Sequence, residues 1–348
     1  MTMKARILPR DAFAGLSEEW ARLAAGAGGV PVLDVDFVAA CLEHLASDEV
    51  NLAVIEQGSA VVAMSFLVTS RLGTLETWAP GQAPLGLFVV ERPEYLPAVL
   101  EAIFKHYPTR AMLSVLQQDS RYTEPNSFGT LADEVAYIDT PWIECATGFD
   151  EYWESLGSNI KRNMRKDGNK LEARNITPRM SVVERPEDIA AAVAAYGELE
   201  MSGWKGAENS AVSADNAQGR FYTGLLERFS ARGRGFAYQL FYGDRLVASD
   251  LAIAGADCVV ILKTAYLDEE RATSPAQMLR RSYFPLLIER YAGGRIEFYG
   301  RALDWHRRWT KLARPLYHVN VYRSGAARAV VRAARSVRHG ATDAARTS

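Results

Sequence analysis

The chain has 348 residues, 48% hydrophobic and 24% charged, with a net charge of −2. That length points to two domains and the composition to a full core, and the near-neutral charge gives no case for nucleic acid or an anionic membrane as partner. Cys41, Cys145 and Cys258 are far apart and odd in number, which excludes a disulfide framework, and the histidines His44, His106, His306, His318 and His339 lack metal-ligand spacing.

In chain order, Asp11–Ala25 reads as a helix stopped by the glycines that follow, and Asp34–Leu45 as a second with Phe37, Cys41 and Leu45 on one face. Strands are expected at Asn51–Glu56, Ala60–Thr69 and Thr74–Trp78, then a helix at Tyr95–His106 and strands at Ala111–Gln117 and Val135–Glu144. Asp150–Arg174 reads as largely helical, Met180–Glu184 as a strand and Glu187–Met201 as a helix, before a polar stretch from Ser202 to Gln218. A helix at Gly219–Ala231 leads into strands Gly235–Tyr242, Arg245–Ala254 and Cys258–Leu267. A helix opening at Ser274-Pro275, a strand at Arg295–Tyr299, a helix at Asp304–Lys311 and a strand at Leu316–Tyr322 complete the pattern. The fold class is α/β with mixed sheets, in two related domains: 1–148, 149–323, and an Ala/Arg-rich tail at 324–348. The N-terminus has no signal-like apolar core and no apolar run is long enough to span a bilayer, so a cytoplasmic protein without a transmembrane segment is expected.

The stretch 259–281 carries the strongest chemical signal. An apolar strand, a short polar turn and a helix start bring free backbone N–H groups and the positive end of a helix dipole to the turn, where an anion is stabilised. Ser274 suits the N-cap and Pro275 the first helical position, while Arg271, Arg280 and Arg281 add positive charge.

The turn Arg271-Ala-Thr-Ser-Pro-Ala276 resembles the R/Q-x-x-G-x-G/A pyrophosphate loop of GNAT acyltransferases, with Ser274 at the first glycine position and Ala276 at the second. Together with SNIKRNMRKDGNKLEAR, SGWKG and EFYG-x-x-x-x-W, it resembles the CelD-type acetyltransferase branch, distantly related to the Fem-type aminoacyltransferases. The resemblance runs from about Pro31 to Tyr322, its specific motifs all after Asn159. It implies a double GNAT fold, acetyl-CoA or another acyl-CoA as co-substrate, and a small-molecule or saccharide acceptor, often in polysaccharide or envelope pathways; from the histidine spacing no metal is expected. Two departures stand out: the family has Ser-Pro-Gly where this chain has Ser274-Pro275-Ala276, and no segment is long enough for the helical arm of Fem-type enzymes.

On this resemblance, Arg271, Ser274, Pro275, Ala276 and Gln277 are expected to hold the donor, beside the strand containing Lys263 and Tyr266. Lys263 is read in phase with Val259 and Ile261, a charge among apolar neighbours that either lines the site or snorkels from a strand end. Asp250, a carboxylate entering an apolar strand, either orients an amine or marks a bulge. Glu200, Trp204, Lys205 and Asp304 are the candidate acceptor contacts. Many GNAT enzymes protonate the leaving thiolate with a helix tyrosine; here Trp309 stands near that place, leaving Tyr266 or Tyr299 as candidates. The basic residues of 161–174 read as a cationic stripe or a solvated face, and the tail arginines as a surface helix or a membrane-grazing one. The leading expectation is N-acetylation of an amino sugar or small amine; the rivals are aminoacyl transfer from tRNA and a degenerate binding or scaffold protein.

Overall fold

A computed structural model describes residues 2–70, 74–202 and 212–334. The strands are β1 (Met3–Pro9), β2 (Asn51–Gln57), β3 (Ala60–Thr69), β4 (Leu75–Thr77), β5 (Phe88–Val90), β6 (Met112–Asp119), β7 (Ala132–Glu144), β8 (Pro178–Val183), β9 (Gly235–Tyr242), β10 (Arg245–Ala254), β11 (Cys258–Tyr266), β12 (Arg295–Glu297) and β13 (Ala313–Tyr322). They divide between two compact units. The first holds Met1–Gly28, Ser47–Tyr137 and Pro315–Ser348, the second Gly29–Ala46 and Ile138–Arg314.

In the first unit the sheet runs β1-β2-β3-β4-β6-β13, with β5 added on β3. Every pairing is antiparallel except β4 with β6, where Leu75 lies opposite Leu113 and Glu76 opposite Ser114. Parallel neighbours need a crossover, and the helix Leu96–His106 supplies it. Its buried face of Leu96, Val99, Leu100, Ile103 and Phe104 belongs to one core cluster with Ala53, Ile55, Leu75, Leu113 and Val319. At residues 325–334 the chain is helical, and Arg328 and Arg332 both clamp Asp133. These two tail arginines are thereby spent on an internal ion pair.

The second unit has the order β8-β9-β10-β11-β12-β7. Its β9-β10-β11 meander is antiparallel, and β11 runs parallel to β12 through the crossover helix Pro275–Arg290. The helix Pro275–Arg290 covers one face; the helices Pro186–Met201 and Ala217–Ser230 pack on β9 and β10 as well. The helix Val35–Leu45 also belongs here: Phe37 meets Phe221 edge-on at 5.7 Å, Glu43 pairs with Arg228 at 2.5 Å, and Arg232 bridges Asp34 and Asp36 at 2.9 Å each.

The expected division at residues 148 and 323 therefore differs from the compact units. The helix Val35–Leu45 buries its apolar face in the second unit, and β13 completes the ladder of the first by pairing with β6. Other elements differ in detail. β1 and β5 were not anticipated; Asp150–Arg174 is two helices, Phe149–Ser155 and Ser158–Ala173; and the helix expected at Asp304–Lys311 is one turn, His306–Trp309. All three cysteines are buried thiols. Among the described residues no helix is long and apolar enough to cross a membrane, and no His, Cys, Asp or Glu cluster has the makings of a metal site.

Candidate active site

A single irregularity decides which side chains of β11 face the helix Pro275–Arg290. In register with β10, Ile261 lies opposite Ala252 but Lys263 lies opposite Leu251, so Leu262 is the extra residue of a β-bulge. Opposed residues share a face, and Ala252 and Leu251 point to opposite faces. The bulge therefore sets Lys263 on the face opposite Ile261, and brings Thr264 and Tyr266 onto the face of Ile261 and Asp250. Lys263 is not in phase with Ile261, because a slip of one residue inverts every later side chain.

On that face a cavity of about 460 Å³ opens at the start of the helix Pro275–Arg290. Its walls include Thr264, Tyr266, the turn from Ser274 to Gln277, and Trp305. Its charged lining residues are Arg271, Arg280 and Arg308, with no carboxylate among them. Ser274 does not cap the helix through its side chain; it adopts the left-handed conformation, φ 49° and ψ 55°. Its carbonyl instead accepts from Gln277 N at 2.9 Å and Met278 N at 3.0 Å. Pro275 takes the first helical position as expected. The left-handed backbone explains why a glycine suits this place, since a Cβ costs about 1–2 kcal/mol there. The expected role of Gln277 is shared, because its Oε1 accepts from Trp309 Nε1. The turn before Ser274 is pinned from the helix Ser158–Ala173 and its cap: Lys170 donates to Ala272 O, and Arg174 grips Glu270 bidentately at 2.7 and 2.8 Å.

Behind the cavity lies a buried network that the sequence did not disclose. Arg280 is 1% exposed and Asp250 fully buried, with Nε and Oδ2 3.2 Å apart. Tyr283 donates to Asp250 Oδ2 at 2.7 Å, and Arg280 Nη2 donates to Thr264 Oγ1 at 2.7 Å. The guanidinium lies 4.0 Å from the Trp305 ring centroid, and Trp305 stacks on His306 at 3.5 Å. His306 Nδ1 accepts from Leu303 N, and burial followed by the Arg280 charge pushes its pKa down to about 3, so the ring is neutral at pH 7. Asp250 thus anchors an arginine and a tyrosine, and its carboxylate does not line the cavity, contrary to its expected role as a base or amine contact. An arginine on a helix face reads as solvated; only its i, i+3 alignment with Tyr283 in an otherwise buried stripe signals an inward charge.

The opposite face brings together two residues singled out separately in the sequence, Lys263 and Glu200. Lys263 Nζ is 3.4 Å from Glu200 Oε1 and 5.6 Å from the centroid of Tyr222. Glu200 also accepts from Tyr196 Oη at 3.1 Å and Val212 N at 2.8 Å, so this carboxylate is buried and well supplied with donors. Burial, then the Glu200 charge, raises the Tyr196 and Tyr222 phenols well above their ordinary range, keeping both as donors. Between the two faces the sheet opens, because β11 and β12 pair only over Cys258–Val260 and Arg295–Glu297 before parting.

The remaining predicted residues divide. Tyr266 is 43% exposed in the cavity wall. Tyr299 is buried, in a left-handed conformation, with the Arg314 guanidinium 5.5 Å from its ring; it does not line the cavity. Asp304 is exposed and pairs loosely with Arg307 at 3.7 Å. Trp309 is a fully buried core residue against Phe284. Arg281 lies over Phe149 and Trp153, outside the cavity lining. Trp204 and Lys205 lie outside the described residues. Of the expected basic stripe, Lys161 pairs with Glu154 at 2.7 Å, and Lys170 and Arg174 hold the turn.

The geometry agrees with sequence comparison. Residues 158–307 match the family model for the acetyltransferase (GNAT) domain. No curated protein matches the chain in sequence. Among solved structures the chain is similar to FemX, with a TM-score of 0.59 at 8% identity over 88% of this chain and 96% of that one. It is also similar to the C-terminal domain of a putative lysylphosphatidylglycerol synthetase from Agrobacterium fabrum, with a TM-score of 0.55 at 10% identity, covering 91% and 96%. A conserved protein of unknown function from Bacteroides thetaiotaomicron gives 0.54 at 10% identity, covering 90% and 96%. At these identities the likeness concerns the fold alone.

Proposed function

We propose that this chain transfers an acyl group from acyl-CoA to the amine of a small molecule or amino sugar. The observation that carries the reading is the cavity at the Ser274 turn, whose charged lining is all arginine. Such a lining favours a polyanion, and the adjacent helix start adds dipole charge. Arg271, Ser274, Pro275, Ala276 and Gln277 contact the donor phosphates, joined by Arg308. The thioester end reaches Thr264 and Tyr266 where β11 and β12 part. The acceptor approaches from the face of Glu200 and Lys263.

Calorimetric titration with acetyl-CoA tests the donor assignment. Wild type is expected to bind, and Arg271→Glu and Pro275→Glu to abolish binding; no heat with wild type rejects the reading. A second reading, aminoacyl transfer from tRNA, draws on the fold likeness to the lysylphosphatidylglycerol synthetase domain. Binding of charged tRNA in place of acetyl-CoA in the same titration selects it. If acetyl-CoA binds, release of CoA thiol across a panel of amines and amino sugars identifies the acceptor class.

A further inference from the structure

The arrangement behind the cavity bears on how the thioester is activated, given the acyl-CoA reading above. We infer that the Thr264 hydroxyl is the hydrogen-bond donor that stabilises the oxyanion of the transfer reaction, oriented for that task by Arg280.

A guanidinium has only donors. Because Arg280 Nη2 donates to Thr264 Oγ1 at 2.7 Å, that oxygen accepts, and the Thr264 proton must point elsewhere. Among the described residues no oxygen accepts it, and Thr264 is part of the cavity wall. Arg280 cannot turn away, since Asp250 lies 3.2 Å from its Nε and Trp305 stacks on its plane. Asp250 is itself fixed by Tyr283 at 2.7 Å. The chain Tyr283–Asp250–Arg280–Thr264 therefore ends in one aimed O–H. A hydrogen bond from a cation to the hydroxyl oxygen polarises it and strengthens its donation.

The hydroxyl donates without losing its proton. The amine nitrogen attacks the thioester carbon and the C–N bond forms. The π electrons of the carbonyl move to its oxygen, which accepts the hydrogen bond from Thr264. On collapse the C–S bond breaks, CoA leaves as the thiolate, and the amine proton passes to solvent. Thr264 touches the reacting oxygen and is catalytic in this sense; Arg280 and Asp250 are positioning residues.

The test uses the full chain and acetyl-CoA labelled with carbon-13 at the carbonyl. Isotope-edited infrared spectra of the bound thioester are expected to show its carbonyl stretch shifted to lower frequency than in free acetyl-CoA. Thr264→Ser should keep the shift and Thr264→Val should lose it, while calorimetry finds the acetyl-CoA affinity within a few-fold. With a turned-over amine, Thr264→Val should lower kcat about 100-fold and leave KM for acetyl-CoA little changed, in the range seen for loss of one oxyanion donor. Should Thr264→Val fail to fold, Thr264→Cys replaces it, its thiol being a weak donor. Equal shifts in wild type and the donor-less variant, or no shift in wild type, overturn the inference while leaving the donor site standing. Failure of wild type to bind acetyl-CoA overturns both.

Discussion

The two units build the same parallel crossover and use it differently. In the first, β4 and β6 flank the helix Leu96–His106, whose buried residues are all apolar. In the second, β11 and β12 flank the helix Pro275–Arg290, and the corresponding buried stripe carries Arg280 and Tyr283. The approach to the helix differs too. The first unit enters through Pro93–Tyr95, with Glu94 in that turn; the second enters through Asp268–Thr273, whose Glu270 is held by Arg174, and then a left-handed Ser274. Acids precede both helix starts and neither has one in its first turn, so what sets the second start apart is the arginine lining beside it, which attracts an anion. One crossover is a packing device and the other, on the proposed function, a binding device, and the difference lies in a handful of polar residues rather than in topology.

The largest effect is expected where charge is buried. Asp250→Ala leaves the Arg280 charge without its carboxylate and should cost about 3–5 kcal/mol in urea unfolding. Leu100→Ala, on the first unit's helix, should cost about 2–5 kcal/mol through cavity formation, with no effect on acetyl-CoA affinity. A cost below 1 kcal/mol for Asp250→Ala breaks the contrast. Next, Arg308→Ala should weaken acetyl-CoA binding roughly 10- to 100-fold, the worth of a hydrogen bond to a charged group. Glu94→Lys in the first unit should leave it unchanged, and a gain in affinity there shows a second donor site.

Acid separates the units by a smaller margin. The Arg174 hydrogen bond holds the Glu270 carboxyl below its ordinary value, and the Arg332 hydrogen bond holds Asp133 much further below its own. Both folded values lie under the unfolded ones, so each pair stabilises at neutral pH and is lost as pH falls through the folded value. As pH falls below the ordinary carboxylate range, about 4, amide exchange should rise in the turn 268–273 before the Asp133 clamp is lost. Simultaneous loosening contradicts this order. Smallest is Ser274→Gly, which relieves the left-handed Cβ and should raise stability by about 0.5–1 kcal/mol in thermal unfolding.

What the sequence disclosed follows the range of the interaction concerned. Pro275 at the helix start and the meander of β9, β10 and β11 depend on neighbours a few residues away, and both were legible. The phase of Lys263 was not, because the bulge at Leu262 is fixed by the register against β10, which periodicity cannot see. Arg280 was read only as positive charge beside the turn, since its partners Asp250 and Thr264 come from two other strands. The serine before Pro275 looked like a cap because serine caps most helices; its left-handed backbone is set by the turn that Lys170 and Arg174 tie down.

The interleaving of the units also sets a timetable. The first unit lacks its final strand until residue 322 has been made, although its other strands are complete soon after residue 137. At about 5–20 residues per second of synthesis, that strand arrives roughly 10–40 s late. Meanwhile β6 presents an unpaired edge on the nascent chain, the kind of surface that recruits a stray strand. A truncated product ending near residue 148 would keep that edge permanently, so premature termination should yield aggregates rather than a working half.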